Sequence, residues 1–250
     1  MKQQNVYFKK IVPLLSKINK TQAHNIAAAA NLLYEQIKKD GLIHVFGVGG
    51  HSFIGSEEFF WRAGGLANVS PIFDFSLGLF GGGIKSTMLE RLNGYGERVV
   101  QSRYLGPDDL LIITSLYGMN ACTLDAAFTA KKAGCKVIGI SSVEFAKNTP
   151  RNFPARHRSN KNLFEIADLH NDNHVPQTEG LVKLKNYPQV IGSASNTLQC
   201  FCINWLVIEA IKKCLDNGVE PPIWHSANIP GGDEKNRRHI EKYSRLVKSL

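Results

Sequence analysis

An apolar run of strand length, Asp109-Leu110-Leu111-Ile112-Ile113-Thr114, passes into Ser115-Leu116-Tyr117-Gly118-Met119-Asn120 and then into a helix-compatible segment. A strand that turns through Ser and Gly into a helix aims free backbone N–H groups at whatever lies above the turn. The helix dipole there favours an anion, most often a phosphate. The same pattern stands earlier in the chain. Leu42-Ile43-His44-Val45-Phe46 leads through Gly47-Val48-Gly49-Gly50-His51-Ser52 into another helix. Two such turns on one parallel sheet form a crevice suited to phosphate.

The rest of the chain reads as alternating elements. Residues 6–38 have helical apolar spacing, with Thr21 placed to cap a second helix and Asp40-Gly41 to end it. Strand 42–46 is followed by helix 53–63, a short strand at 69–72, and a Gly-rich stretch, 73–98, that reads as a functional loop. Strand 110–114, helix 121–133 and strand 136–140 make a right-handed βαβ unit. Residues 167–170 suggest one more strand and 196–216 the most apolar helix, while Asp233 is placed to cap a last helix. The organisation expected is an N-terminal helical segment (1–40), a central α/β domain (41–217), and a C-terminal loop and helix (218–250) that complete the domain or an oligomeric site.

Composition narrows the functional classes. No apolar run reaches the length of a transmembrane helix, and Met1–Lys10 lacks the apolar core of a signal peptide, so a cytoplasmic protein is expected. Cys122, Cys135, Cys200, Cys202 and Cys214 are odd in number and contain no CxxC pair, which reads as reduced thiols in apolar surroundings. The net charge of +9 raises the question of nucleic acid, but the lysines are scattered and no nucleic-acid module pattern is present. The densest basic stretch, 151–161, suits a solvated loop or the steering of an anionic metabolite.

Several side chains carry possible chemistry. Ser52 and Ser115 are the hydroxyl candidates for phosphate, with backbone N–H groups of Gly118, Met119 and Asn120. Ser193 and Ser195 open the long apolar helix and serve as caps or as ligand contacts. On helix 53–63, at 100° per residue, Glu57 falls inside the apolar arc of Phe53, Ile54, Phe60 and Trp61. A carboxylate there is either paired, with Arg62 or Lys85, or functional. Glu90 is a second candidate base, with a surface ion pair to Arg91 or Arg98 as the favoured alternative. His51 stands in the first turn, His157 in the basic loop and His225 before Ser226-Ala227-Asn228; their spacing gives no metal signature.

With these residues in place the chain resembles the sugar isomerase (SIS) domain family, and within it a bacterial subgroup of single-domain proteins related to phosphoheptose isomerase. The matching stretches are Glu57–Gly65, Lys85–Leu92, Arg156–Ser159 and Ser226–Glu234. The resemblance implies an α/β fold, a three-layer αβα sandwich with a parallel sheet of about five strands. It implies a phosphorylated sugar as ligand, a homodimer or homotetramer, and no cofactor or metal. Family turns read Ser-x-Ser-Gly-x-Ser/Thr; here Tyr117 takes the second Ser position and Asn120 the last hydroxyl. The reading that follows is aldose–ketose isomerisation through an enediol. Glu57 is its base, His51 or His225 the second group, and Ser52, Ser115, Lys85 or Arg156 hold phosphate. The alternatives are non-catalytic phosphosugar binding, or lyase, etherase or deaminase action on an amino-sugar phosphate.

Overall fold

The computed structural model describes residues 5–250; of the polar stretch Met1–Lys10, residues 1–4 lie outside them. Helices α1 (Val6–Thr21) and α2 (Ala23–Lys38) lead to β1 (Ile43–Gly47), α3 (Phe53–Phe59) and β2 (Val69–Pro71). Then come α4 (Gly83–Glu90), α5 (Tyr95–Gln101), β3 (Leu110–Thr114), α6 (Ala121–Lys132) and β4 (Lys136–Ser141). After α7 (Val143–Asn148), α8 (Leu163–Ile166) and β5 (Leu169–Asp172), a hairpin of β6 (Gly180–Lys183) and β7 (Val190–Ser193) precedes α9 (Ser195–Asp216) and α10 (Gly232–Tyr243).

The five-stranded sheet has the order β2-β1-β3-β4-β5, and every pairing in it is parallel. Central strand β3 is buried along its whole length, as its uninterrupted apolar sequence requires when helices cover both faces. Side chains alternate with the pleat. Val45, Ile112 and Ile140 share one core with Leu33 of α2 and Leu198 and Leu206 of α9. Phe46, Leu111 and Ile113 share the other with Val100 of α5 and Ala126 and Ala130 of α6. The result is the expected αβα sandwich. The apolarity of α9 is largely explained inside the chain, by α2 and the sheet. No helix among the described residues is long and apolar enough to cross a membrane. All five cysteines are free thiols; four are buried and Cys200 partly so.

Four local expectations are corrected. Thr21 is the last residue of α1 and its hydroxyl donates to the Lys17 carbonyl at 2.8 Å, so it caps nothing in α2. Asp233 sits in the first turn of α10, after Gly231 at the cap position with φ of 78°. Helix α3 ends at Phe59, four residues early, and Trp61 adopts φ of 54°. The stretch 73–98 contains α4 and most of α5. Its glycines depress helix propensity, but tertiary packing needs one of them: a Cβ on Gly96 would collide with the Cys122 carbonyl where α5 crosses α6.

Candidate functional site

In this strand order the chain steps from β1 outward to β2 and then back across to β3. The crevice above the carboxyl ends of β1 and β3 is therefore the switch point where open α/β sheets bind ligands. The two turns that the sequence singles out meet there and are laced together. The Val48 N–H donates to the Thr114 carbonyl at 3.0 Å. The Leu116 N–H donates to Ser52 Oγ at 3.1 Å, and Thr114 Oγ1 to the Ser52 carbonyl at 3.1 Å.

Beside these turns lies a cavity of about 370 Å³ whose walls include Glu90, Arg91, Tyr117, Met119, Asn120 and Phe145. Glu90, the last residue of α4, lays its carboxyl over the first turn: a Cβ on Gly49, where φ is 94°, would collide with it. Burial pushes the Glu90 carboxyl up to about 7, with Arg91 pulling weakly the other way. Glu90 forms no ion pair with Arg91 or Arg98; the latter donates to Gln101 at 3.0 Å. The favoured surface-pair reading of Glu90 is thus replaced by that of a half-buried acid facing a cavity.

Tyr117 stacks on Phe145, ring centroids 4.1 Å apart, and its phenol donates to Glu179 Oε2. Burial raises the phenol pKa and the Glu179 carboxylate raises it further, so it remains a donor. The other oxygen of Glu179 accepts from Ser193 Oγ at 3.0 Å and Ser195 Oγ at 3.1 Å. Ser193 and Ser195 are therefore engaged by the chain's own carboxylate. Glu179, at φ of 55°, carries no sequence signal: it lies between Thr178 and Gly180 in an unremarked loop.

The remaining candidates divide between the crevice and the scaffold. Ser52 is buried and joins the two turns. Ser115 is buried too, accepting from the Gly118 N–H and from Thr123 Oγ1, each at 3.1 Å. Gly118 has φ of 66°, and its carbonyl accepts from the Leu163 N–H at 2.7 Å. Asn120 is 4% exposed, makes no side-chain cap bond to α6, and its Oδ1 has no partner among the described residues. His51 is exposed on the first turn, and Lys85 is exposed on α4 away from the cavity walls. His157 is buried, with Nε2 3.2 Å from Asp125 Oδ1, and holds its loop against α6.

Three expectations fail on contact geometry. Arg156 is buried and its guanidinium is used up inside the protein: Nε and Nη2 donate to the Thr149 carbonyl at 3.2 and 3.0 Å, Nη1 to Asn162 Oδ1 at 3.0 Å, and Nη2 also to the Ala146 carbonyl. It staples the end of α7 and offers no free fork to a phosphate. Arg156→Ala is expected to lower stability by about 2–4 kcal/mol, since buried carbonyls lose charged donors. Chemical denaturation measures this, and ligand affinity of the folded protein should stay within twofold of wild type. Glu57 is exposed rather than enclosed, because α3 stops before the arc closes around it. The partner expected for it, Arg62, pairs instead with Glu58 at 3.5 Å.

Glu57 and His225 do not reach the crevice. Glu57 borders a cavity of about 450 Å³ with Phe60, Trp61, Phe73 and Leu250. His225 borders one of about 270 Å³ with Trp61, Arg62, Asn228 and Asn236. They flank Trp61, whose ring lies 4.5 Å from that of Trp224.

Residues 6–142 match the family model described as the SIS domain. Over 246 residues the chain is 37% identical to a UPF0309 protein of Geobacillus kaustophilus, covering 98% of this chain and 96% of that one. It is 35% identical over 244 residues to a UPF0309 protein of Halalkalibacterium halodurans, covering 98% and 96% of the two chains. Among solved structures, phosphoheptose isomerase from Neisseria gonorrhoeae superposes with a TM-score of 0.53 at 13% identity, covering 84% of this chain and 95% of that one. At that identity the likeness shows a shared fold.

Proposed function

The chain belongs to the SIS-domain family, and on that premise we propose that it is a sugar-phosphate isomerase of the aldose–ketose type, with Glu90 as its base. The observation that carries this reading is the Glu90 carboxyl, raised to about 7 and facing the cavity at the switch point. A base near neutrality can both accept and return a proton at physiological pH. In the reaction Glu90 takes the proton from the carbon next to the carbonyl. The C–H electron pair forms the enediol double bond, and the carbonyl oxygen gains a proton. Return of the proton to the neighbouring carbon completes the interconversion. His51, on the first turn, is the group we assign to proton transfer between the two oxygens. Arg91 supplies positive charge at the cavity wall for the anionic part of the ligand. Glu57 and His225, together beside Trp61, belong to this proposal only as the alternative acid–base pair.

The second reading, phosphosugar binding without turnover, is favoured by one observation. Ser115, Ser193, Ser195 and Arg156 are all engaged within the chain. The two readings separate in deuterated water. A panel of hexose, pentose, heptose and amino-sugar phosphates is incubated with the protein and followed by NMR. Isomerisation predicts turnover with deuterium entering next to the carbonyl, lost in Glu90→Gln. A thermal shift with no exchange for any sugar supports the binder and overturns the isomerase.

We propose also that the chain forms a homodimer or homotetramer. Phe80, in the turn that precedes α4, and Ile84 and Met88 on α4 are 72, 82 and 68% exposed at four-residue spacing, on the segment that carries Glu90. A strip of this kind marks an interaction face. Light scattering should return a mass of at least twice 27.7 kDa, and Ile84→Glu with Met88→Glu should return the monomer mass; a monomeric wild type rejects it.

A further inference from the structure

The crevice lies at the carboxyl ends of the strands. A separate cavity, of about 230 Å³, lies at the amino ends of β1 and β2, where Asp40 and Asn68 stand in its wall. Asn68 is 1% exposed. Its Nδ2 donates to the Gly41 carbonyl at 2.8 Å, and its Oδ1 has no partner among the described residues. An enclosed acceptor left unmet is costly, so a donor belongs beside it. The charges around the cavity are sorted by origin. Both cations, Arg238 and Lys242, come from α10, at i and i+4 on one face. Both anions come from outside it: Asp40 past the end of α2 and Glu220 past the end of α9. They meet in pairs, Lys242 with Asp40 and Arg238 with Glu220, and both pairs are exposed to solvent. Pairs of that kind hold weakly and open at little cost. A ligand of one charge sign meets as much repulsion as attraction here, whereas a zwitterion finds a partner for each of its poles.

We propose that this cavity binds a free α-amino acid. The ammonium group of the ligand donates to Asn68 Oδ1 and faces the carboxylates of Asp40 and Glu220. Its carboxylate accepts from Arg238 and Lys242. Each ion pair thus exchanges an internal partner for one of opposite charge on the ligand. The walls are anchored beforehand. The Pro222 carbonyl accepts from the Ala67 N–H at 2.7 Å, and Asn236 of α10 holds both backbone groups of His225, at 2.8 and 2.9 Å. The cavity shares no lining residue with the one that Glu90 faces. An amino acid therefore binds beside a sugar phosphate and not in place of it, and the proposal stands apart from the isomerase reading.

The full chain is screened by thermal shift at low salt against each proteinogenic amino acid at millimolar concentration, and those that raise Tm are titrated by calorimetry. The expected result is a rise in Tm with at least one of them. Its amide and its N-acetyl derivative, which each lack one of the two charges, should bind at least tenfold more weakly. The double variant Arg238→Met with Lys242→Met should lose at least tenfold in affinity. Asp40→Asn should lose as much, and asparagine suits the φ of 59° at that position. Asn68→Ala should lose at least tenfold too; should it fail to fold by circular dichroism, the variants of the exposed residues decide. Three results overturn the proposal: no amino acid shifts Tm, a derivative with a single charge binds as tightly as its parent, or the variants bind as tightly as wild type, which would put the amino acid elsewhere on the protein.

Discussion

Glu90→Gln should abolish turnover and stabilise the fold in one substitution. Removing a positioned general base costs typically 10²–10⁴-fold, so kcat should fall by about that factor with KM little changed. In wild type, kcat/KM should climb with pH through about 7, where the Glu90 carboxyl loses its proton and becomes a base. The stability effect has the opposite sense. The folded pKa, about 7, lies above the ordinary 4.5, so between these values the folded protein holds a proton that the unfolded chain has released. The stability contributed by the protonated carboxyl is whole below 4.5 and is lost as pH rises through 7. At pH 8 the buried charge costs about 1–3 kcal/mol, which the neutral amide of Gln avoids. Urea denaturation at pH 8 should therefore show Glu90→Gln the more stable protein, with the gap closing at pH 4.5. Lost activity together with gained stability is the behaviour of a group kept for chemistry. A variant less stable than wild type at pH 8 would assign Glu90 a structural role.

Gly118→Ala should be the most damaging single-methyl change in the site. The residue has φ of 66°, which alone costs an alanine about 1 kcal/mol. The added Cβ also meets the Ser141 hydroxyl head-on and lies 3.3 Å from the Leu163 Cβ, with strand β4 and helix α8 behind them. Overpacking of this kind costs about 1–3 kcal/mol more. Both backbone groups of Gly118 are also committed, the N–H to Ser115 and the carbonyl to Leu163. A total of about 2–4 kcal/mol corresponds to a fall in Tm of roughly 5–15 °C for a chain of this size. Gly218→Ala is the control: φ there is 69° but the space around the Cβ is open, so only the backbone cost of about 1 kcal/mol applies. Equal Tm losses in the two variants would show that the second turn is not tightly packed.

Local pattern made some parts of this molecule legible and left others hidden. The strand–turn–helix units at 42–53 and 110–121 could be read because an apolar run, a glycine and a helical period are all short-range signals. Helices α4 and α5 could not, because six glycines argue against helix and only the crossing over α6 supports it. Glu57 looked enclosed because helical periodicity was carried four residues, about one turn, too far; the helix breaks at Phe60 and leaves the carboxylate outside. Arg156 looked like a phosphate ligand because a basic loop matches the family motif, while its actual acceptors are the carbonyls of Ala146 and Thr149.

The sequence by itself determined the layer architecture. A buried parallel strand must be apolar throughout, helices that cover it must show a 3.6-residue period, and both constraints are written locally. It pointed as well to the crevice proposed for the ligand, since that follows from which strands end in glycine turns. Only the tertiary structure decided which side chains face that crevice. Glu90 arrives there from α4, Glu179 reaches Tyr117 across 62 residues of chain, and Arg156 turns away toward α7. The reason is physical: a carboxylate's pKa and a hydroxyl's freedom depend on neighbours brought in from distant segments, and no local period encodes those neighbours.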